Sequence, residues 1–400
     1  MTLDPTRTLV LLAVAMLVAI VTRRLALPYT VGLVLVGIVL AVAHIDVGGA
    51  LTHDFIFYVI LPPLLFEAAL SLRWRDLWAD AGLLFVLATL GTVLGAAVVA
   101  WGMVTLAQWP LPAALVFGAL IAATDPVAVI AMFKDNGVHG RLRSLMESES
   151  LFNDAAAAIL FSVALTFAMG EGVPAPTDLA IHLGYVVGGG AVIGAAVGGA
   201  VLLIAGRTTE HVIEVALTVL AAYGAFVIAE NLHASGILAT VVAGLVVGNF
   251  GLAAEGSTLS ERGRGFAIEF WDFAAFLANT AIFPLIGVSI GAAAFLPDAL
   301  PGLIAAVVLA LLGRAVTVYP LSFAFSRTKQ AAPSAFQHVL WWGGLRGALA
   351  LALALALPEG MIYRREILIA TFAVVAFSII VQGLTMPALL RRLGLVTKPS

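Results

Sequence analysis

Apolar runs of membrane-crossing length follow one another along almost the whole chain, and no other feature restricts its fold as severely. They fall at about 8–22, 29–43, 54–71, 82–106, 112–132, 146–168, 178–205, 212–230, 235–250, 266–287, 299–325, 336–356 and 365–390. A helix needs roughly 20 apolar residues to cross a bilayer, whereas a barrel strand needs only about 9–11. These runs are too long for such strands. Helices are then the way for them to satisfy their backbone in lipid. The chain is therefore expected to be an all-α polytopic membrane protein of about thirteen transmembrane helices. Composition agrees, with 62% of residues hydrophobic and 11% charged, where a soluble domain is about one-quarter charged.

The basic residues give this count an orientation. Successive loops alternate between basic and non-basic. The basic ones hold Arg23 and Arg24; Arg73 and Arg75; Lys134, Arg141 and Arg143; Arg207; Arg262 and Arg264; Arg327 and Lys329, with Arg391, Arg392 and Lys398 after the last run. Arg7, Arg364 and Arg365 fall on the other side, and Arg314 and Arg346 fall inside runs. The excess of lysine and arginine on cytoplasmic loops places the N-terminus outside and the C-terminus in the cytoplasm of a cell whose inner membrane holds the chain. The first run could pass for a signal peptide, but Arg23 and Arg24 follow it, so it is read as a retained span. Residues 1–390 are expected to form one membrane domain and 391–400 a short cytoplasmic tail. There is no cysteine, which excludes disulfides and thiolate metal sites, and a net charge of −3 gives no reason to expect a nucleic-acid partner.

Against this apolar background, acidic residues inside spans stand out, because each costs at least about 2.5–3.5 kcal/mol to insert. The clear cases are Glu67, Asp125, Asp154, Glu214 and Glu230, with Glu149 near a span start. Asp125 precedes Pro126, which has no amide proton and disfavours helix at the residue before it. A broken helix there frees carbonyls around Thr124, and carbonyls beside a carboxylate suit a hard cation such as Na⁺. The bland reading is a proline kink capped by Asp125. In the following run, helical spacing puts Ser150 and Asp154 on one face, with Glu149 and Asn153 on the adjacent stripe. A hydroxyl one turn from a carboxylate is half a cation shell; the same residues could instead pack a polar helix on its neighbours. Glu67 follows Pro62-Pro63 and lies near enough to Arg73 and Arg75 to pair with them. An arginine within a span needs a carboxylate. Glu149 is the expected partner of Arg346, while Arg314 has no obvious one. Glu214 and Glu230 are read as structural or cavity-lining.

Taken in order, Thr124-Asp125-Pro126, Glu149-Ser150-x-x-Asn153-Asp154 and Gly343-Gly344-Leu345-Arg346-Gly347 resemble the bacterial and archaeal sodium/proton antiporters of the monovalent cation:proton antiporter-1 family. Phe66-Glu67-Ala68-Ala69 and Gly313-Arg314 extend the likeness over nearly the whole chain. The resemblance implies a lipid-embedded homodimer whose protomers each have a six-helix core and an interface domain. It also implies two inverted repeats, roughly 8–168 and 212–390, joined by a linker helix at 178–205, with broken helices crossing in mid-membrane. Carried over, Asp154 would carry Na⁺ and H⁺ in turn and Asp125 would stabilise the crossing helix ends. Ser150, Glu67 and the Thr124 carbonyl would complete the Na⁺ shell, Asn153 would hydrogen-bond across the crossing, and Glu149 with Arg346 would form a structural ion pair. The Asn153-Asp154 pair resembles the electroneutral branch, one ion for one proton. No resident cofactor is expected beyond the transported Na⁺ and H⁺. Two rival readings are a K⁺/H⁺ exchanger of the same fold and an intramembrane aspartyl protease with Asp125 and Asp154 as its dyad.

Overall fold

The computed structural model describes residues 28–44, 51–170, 175–253, 257–292 and 300–396, with a few isolated positions before residue 23. The expected span 8–22 lies mostly outside the described residues, as do Arg7, Arg23, Arg24 and Lys398. The described residues are helical, without strands. In chain order the main elements are α1 (Tyr29–Val42), α2 (His53–Ser71), α3 (Ala81–Leu106), α4 (Leu111–Ala122), α5 (Val127–Asp135), α6 (Arg141–Ala168) and α7 (Pro176–Ala205), with a short helix, Trp74–Ala79, between α2 and α3. There follow α8 (His211–Asn231), α9 (Gly236–Gly251), α10 (Glu261–Ala292), α11 (Leu300–Ala324), α12 (Ser334–Trp342), α13 (Ala348–Leu355) and α14 (Arg364–Arg392). Among the described residues, nine helical stretches are long and apolar enough to cross a membrane, one of them running from α4 through α5. The chain is a polytopic membrane protein.

Two of the expected spans are interrupted. The run at 112–132 becomes α4 and α5, separated by the non-helical residues 123–126, and the run at 336–356 becomes α12 and α13, separated around 343–347. Pro126 explains the first interruption, since it restricts Asp125 to extended backbone. Gly343, Gly344 and Gly347 explain the second, since glycine is a poor helix former. α14 is continuous but contains a π-turn at Ser378–Gln382.

The chain divides into two compact units. The first comprises residues 1–56, 82–171 and 279–400. It contains both interrupted helices, and its apolar core is built on Val129, Phe133, Met146, Val318, Leu340, Leu345 and Met386. Within it, α3 and α11 approach closely where Gly95 meets Gly313; a Cβ on Gly313 would stand 2.9 Å from the Gly95 carbonyl oxygen. That approach fixes the next residue, Arg314.

The second unit comprises residues 57–81 and 172–278. Its core is rich in alanine, with Ala221, Ala222, Ala225, Ala229, Ala239 and Ala243 packed around Phe66 and Trp271. Gly190, Gly194 and Gly198 on α7 lie against Ser235, Ala239 and Ala243 on or beside α9, the small-residue packing by which membrane helices gain close contact. Glu214 is fully buried here. Its carboxylate accepts hydrogen bonds from Ser260 N (3.1 Å) and Ser260 Oγ (2.8 Å) at the start of α10. Glu230 Oε1 accepts from Gly236 N (2.9 Å) at the start of α9. Both acids therefore satisfy backbone donors that a helix N-terminus leaves unpaired, which is a structural role.

Candidate functional site

Each interrupted helix exposes one carbonyl end and one amide end, and an end buried without partners would be costly. In the first unit the two interruptions meet and satisfy each other. Asp125 N donates to the Leu345 carbonyl at 2.8 Å, backbone to backbone across the crossing. The Asp125 carboxylate then closes two helix starts. Its Oδ1 accepts from Val127 N (3.0 Å) at the head of α5, and its Oδ2 from Ala348 N (3.4 Å) at the head of α13. A negative charge at two positive helix ends is electrostatically favourable. Gly347 makes the approach possible, because a Cβ there would collide with the Asp125 carboxylate.

The carbonyl ends receive arginines, whose positive charge suits a helix C-terminus. Arg346 Nη1 donates to Ala122 O (3.3 Å) and Ala123 O (3.0 Å) at the end of α4. Arg314 donates from Nε (3.1 Å) and Nη2 (3.0 Å) to Leu340 O near the end of α12. Its remaining fork grips Glu149 on α6, Nη1 to Oε1 and Nη2 to Oε2, both at 2.7 Å. This bidentate pair is almost wholly buried. Gly344 leaves it room, since a Cβ there would lie 2.7 Å from Arg314 Nε.

One stripe of α6 faces the first break. Asn153 Oδ1 accepts from Thr124 N (3.1 Å), and Asn153 Nδ2 donates to Thr124 Oγ1 (3.2 Å), Glu149 Oε1 (3.3 Å) and Ala122 O (3.4 Å). The hydroxyls of Thr124 and Ser150 are 3.0 Å apart. One turn beyond Ser150 comes Asp154. Its Oδ1 is buried and has no hydrogen-bond partner among the described residues. It lies within electrostatic reach of Asp125, Glu149 and Arg346. Burying a carboxylate oxygen without a donor costs free energy, and such an oxygen is available to an ion or a proton.

The family described as sodium/hydrogen exchanger, transmembrane, matches residues 10–392 of this sequence. The chain belongs to the sodium/hydrogen exchanger family. It is 38% identical over 371 residues to a sodium/proton antiporter of Aphanothece halophytica, covering 92% of this chain and 70% of that protein. It is 34% identical over 400 residues to a sodium/proton antiporter of Halobacillus aidingensis, covering 97% of each. A solved structure of the sodium proton antiporter from Methanocaldococcus jannaschii shares the fold. Its TM-score is 0.76 at 20% identity, over 96% of this chain and 97% of that one.

Within this exchanger fold, Asp125, Thr124, Ser150, Asn153, Glu149, Arg346 and Asp154 all come together in the first unit. Glu67 belongs to the second unit, half-buried on α2. One expectation is corrected. Glu149 pairs with Arg314, not Arg346. The reason is the pair of carbonyl ends: Arg346, at the break itself, reaches the open end of α4, which leaves Arg314 to neutralise Glu149. Arg314 thus has the partner that its sequence context did not suggest. The signal for it was Gly313, a residue small enough to bring α11 into the crossing.

Proposed function

We propose that this exchanger-family chain carries Na⁺ in one direction and H⁺ in the other across a cell membrane, with both competing for Asp154. The observation that carries the reading is the buried, unpartnered Oδ1 of Asp154. Asp125 and Glu149 are already engaged, by backbone donors and by Arg314. Asp154 alone of the three retains an oxygen without a donor. Ser150 Oγ and the Thr124 carbonyl supply further hard oxygens of the kind that take an alkali cation. The printed names of the relatives support the pair of cargoes, Na⁺ and H⁺. Glu67 is kept as a proposed ion-binding residue on the Phe66-Glu67-Ala68-Ala69 likeness alone.

Exchange then follows from competition. Asp154 is neutral when it holds a proton and nearly so when it holds Na⁺, but bare it is a charge in a low-dielectric interior. If the site changes the side it opens to only when neutralised, neither ion crosses without the other being returned. One Na⁺ for one H⁺ moves no net charge. The reading invokes no resident cofactor. We read the chain further as a homodimer in the inner membrane, with its N-terminus outside and C-terminus cytoplasmic, as the alternation of basic loops supports. The two breaks, whose helix starts converge on Asp125, support two inverted repeats at 8–168 and 212–390 about a linker helix at 178–205. A protease dyad is disfavoured, because both Asp125 oxygens accept from backbone amides.

The test is the purified protein in liposomes with an imposed pH gradient. Adding Na⁺ or Li⁺ should collapse the gradient, with a rate unaffected by clamping the membrane potential, and Asp154→Asn should remain at background. A gradient that no cation discharges, or an Asp154→Asn variant as active as the wild type, overturns the reading. Discharge by K⁺ alone would identify a K⁺/H⁺ exchanger.

A further inference from the structure

The second break is held from behind by a feature outside the family motifs. In α14 the helix widens to a π-turn at Ser378–Gln382. Similar π-turns lie in α2 (Ile56–Ile60), α3 (Leu87–Gly91) and α9 (Val247–Gly251), so the turn itself does not set α14 apart; what its end residues bond does. The residues at its two ends, Ser378 and Gln382, are both buried polar side chains; the buried Thr371 of the same helix bonds back to Ile367 O one turn earlier, whereas these two reach out of the helix. Each reaches one edge of the break between α12 and α13. Gln382 Nε2 donates to Trp342 O (2.8 Å), the last residue of α12. Ser378 Oγ accepts from Arg346 N (3.0 Å) and stands 3.1 Å from Arg346 O. Arg346 precedes the first turn of α13, so its peptide lacks regular helical partners, and Ser378 takes their place.

The hydroxyl has a single proton. It can go to Arg346 O or, within its own helix, to Val375 O at 3.0 Å. The acceptor bond from Arg346 N is kept in either case. Ser378 therefore holds the backbone of the residue whose guanidinium closes the end of α4 on Ala122 and Ala123, immediately before Thr124.

We propose that the π-turn, through Ser378 and Gln382, is a positioning device for the ion site: it fixes the 342–346 break and, through Arg346, the carbonyl end at Thr124. Neither residue touches the ion. The proposal rests on the exchange reading above and deepens it.

The test compares Ser378→Ala, Ser378→Thr and Gln382→Met in proteoliposomes, with Na⁺ titrated at fixed pH. Ser378→Ala and Gln382→Met should each raise the Na⁺ concentration for half-maximal exchange about three- to tenfold, the fold-change of one lost hydrogen bond. The maximal rate should be retained. Ser378→Thr keeps the hydroxyl and should match the wild type. Hydrogen exchange in detergent without Na⁺ should show faster labelling of the 343–348 amides in Ser378→Ala than in Ser378→Thr. Wild-type Na⁺ dependence in both loss variants overturns the proposal, as does a Thr variant shifted as far as the Ala variant. If Ser378→Ala does not accumulate, Gln382→Met tests the same device from its other end. Should the wild type itself show no Na⁺-dependent flux, the exchange reading fails on its own. The amide labelling then still decides whether the π-turn fixes the break.

Discussion

Buried acids occur in both units of this molecule, and they are treated differently. In the second unit Glu214 is enclosed completely, yet both its oxygens accept hydrogen bonds from Ser260, and Glu230 closes the start of α9. In the first unit Asp125 and Glu149 are used similarly, one on two helix starts and one on Arg314. Asp154 departs from this pattern, with a buried oxygen that no described donor meets. A carboxylate in a membrane helix is therefore not a site by virtue of its burial. What distinguishes Asp154 is the missing partner, one turn from Ser150, whose hydroxyl meets that of Thr124 at the first break.

The sharpest way to break this comparison is to neutralise acids one at a time and follow transport and stability separately. Asp154→Asn has the largest expected effect on transport: ion-dependent proton flux falls to background. The melting temperature of the purified protein should hold or rise, because an unpartnered buried charge is removed. A fall comparable with that of a helix-capping variant would mean that Asp154 is structural too. Arg314→Met has the largest expected effect on stability. It strands Glu149 as a buried, unpaired charge, at a cost of about 3–5 kcal/mol. Thermal unfolding should show that loss, and adding Glu149→Gln should recover most of it, since the pair together is close to neutral against apolar replacements. Asp125→Asn comes next. The amide keeps one oxygen acceptor, so one of the two helix-start N–H groups loses its partner, about 1–3 kcal/mol, and the charge facing both starts is lost as well, roughly 0.3–1 kcal/mol for each. Melting should fall, and flux should fall with it because the crossing is deformed.

How much of this was legible in the sequence depends on whether a residue acts locally. The helical, membrane-spanning architecture follows from the spacing of apolar runs, since lipid allows little else. The break at Asp125 is equally local, written in Pro126. The second break is legible in Gly343, Gly344 and Gly347, although their reason is not: Gly344 makes way for Arg314 and Gly347 for Asp125, contacts made over long sequence distances. The Glu149 partner was misjudged for that same cause. Arg346 and Arg314 are both intramembrane arginines, and a choice between them requires knowing which reaches the open carbonyl end of α4. Ser378 and Gln382 carry no local signal, because a serine and a glutamine in an apolar helix become informative only when their backbone partners are seen.

The smallest expected effect sharpens the comparison from the other unit. Glu214→Gln preserves the size of the side chain and one acceptor oxygen. It replaces the second acceptor by an amide that cannot accept the Ser260 hydroxyl proton. The lost charge-assisted bond contributes about 1.5–3 kcal/mol at most, and part of that returns if the hydroxyl rotates to accept from the new amide. Unfolding should therefore shift by a fraction of the Arg314→Met shift. Exchange by the folded protein should keep its wild-type Na⁺ dependence, because Glu214 acts on the start of α10 and on nothing that a cation is proposed to touch. A Glu214→Gln variant that folds normally but loses Na⁺-dependent flux would place a second working carboxylate in the second unit. Hydrogen-bond partnership would then no longer separate the acids that transport from those that build.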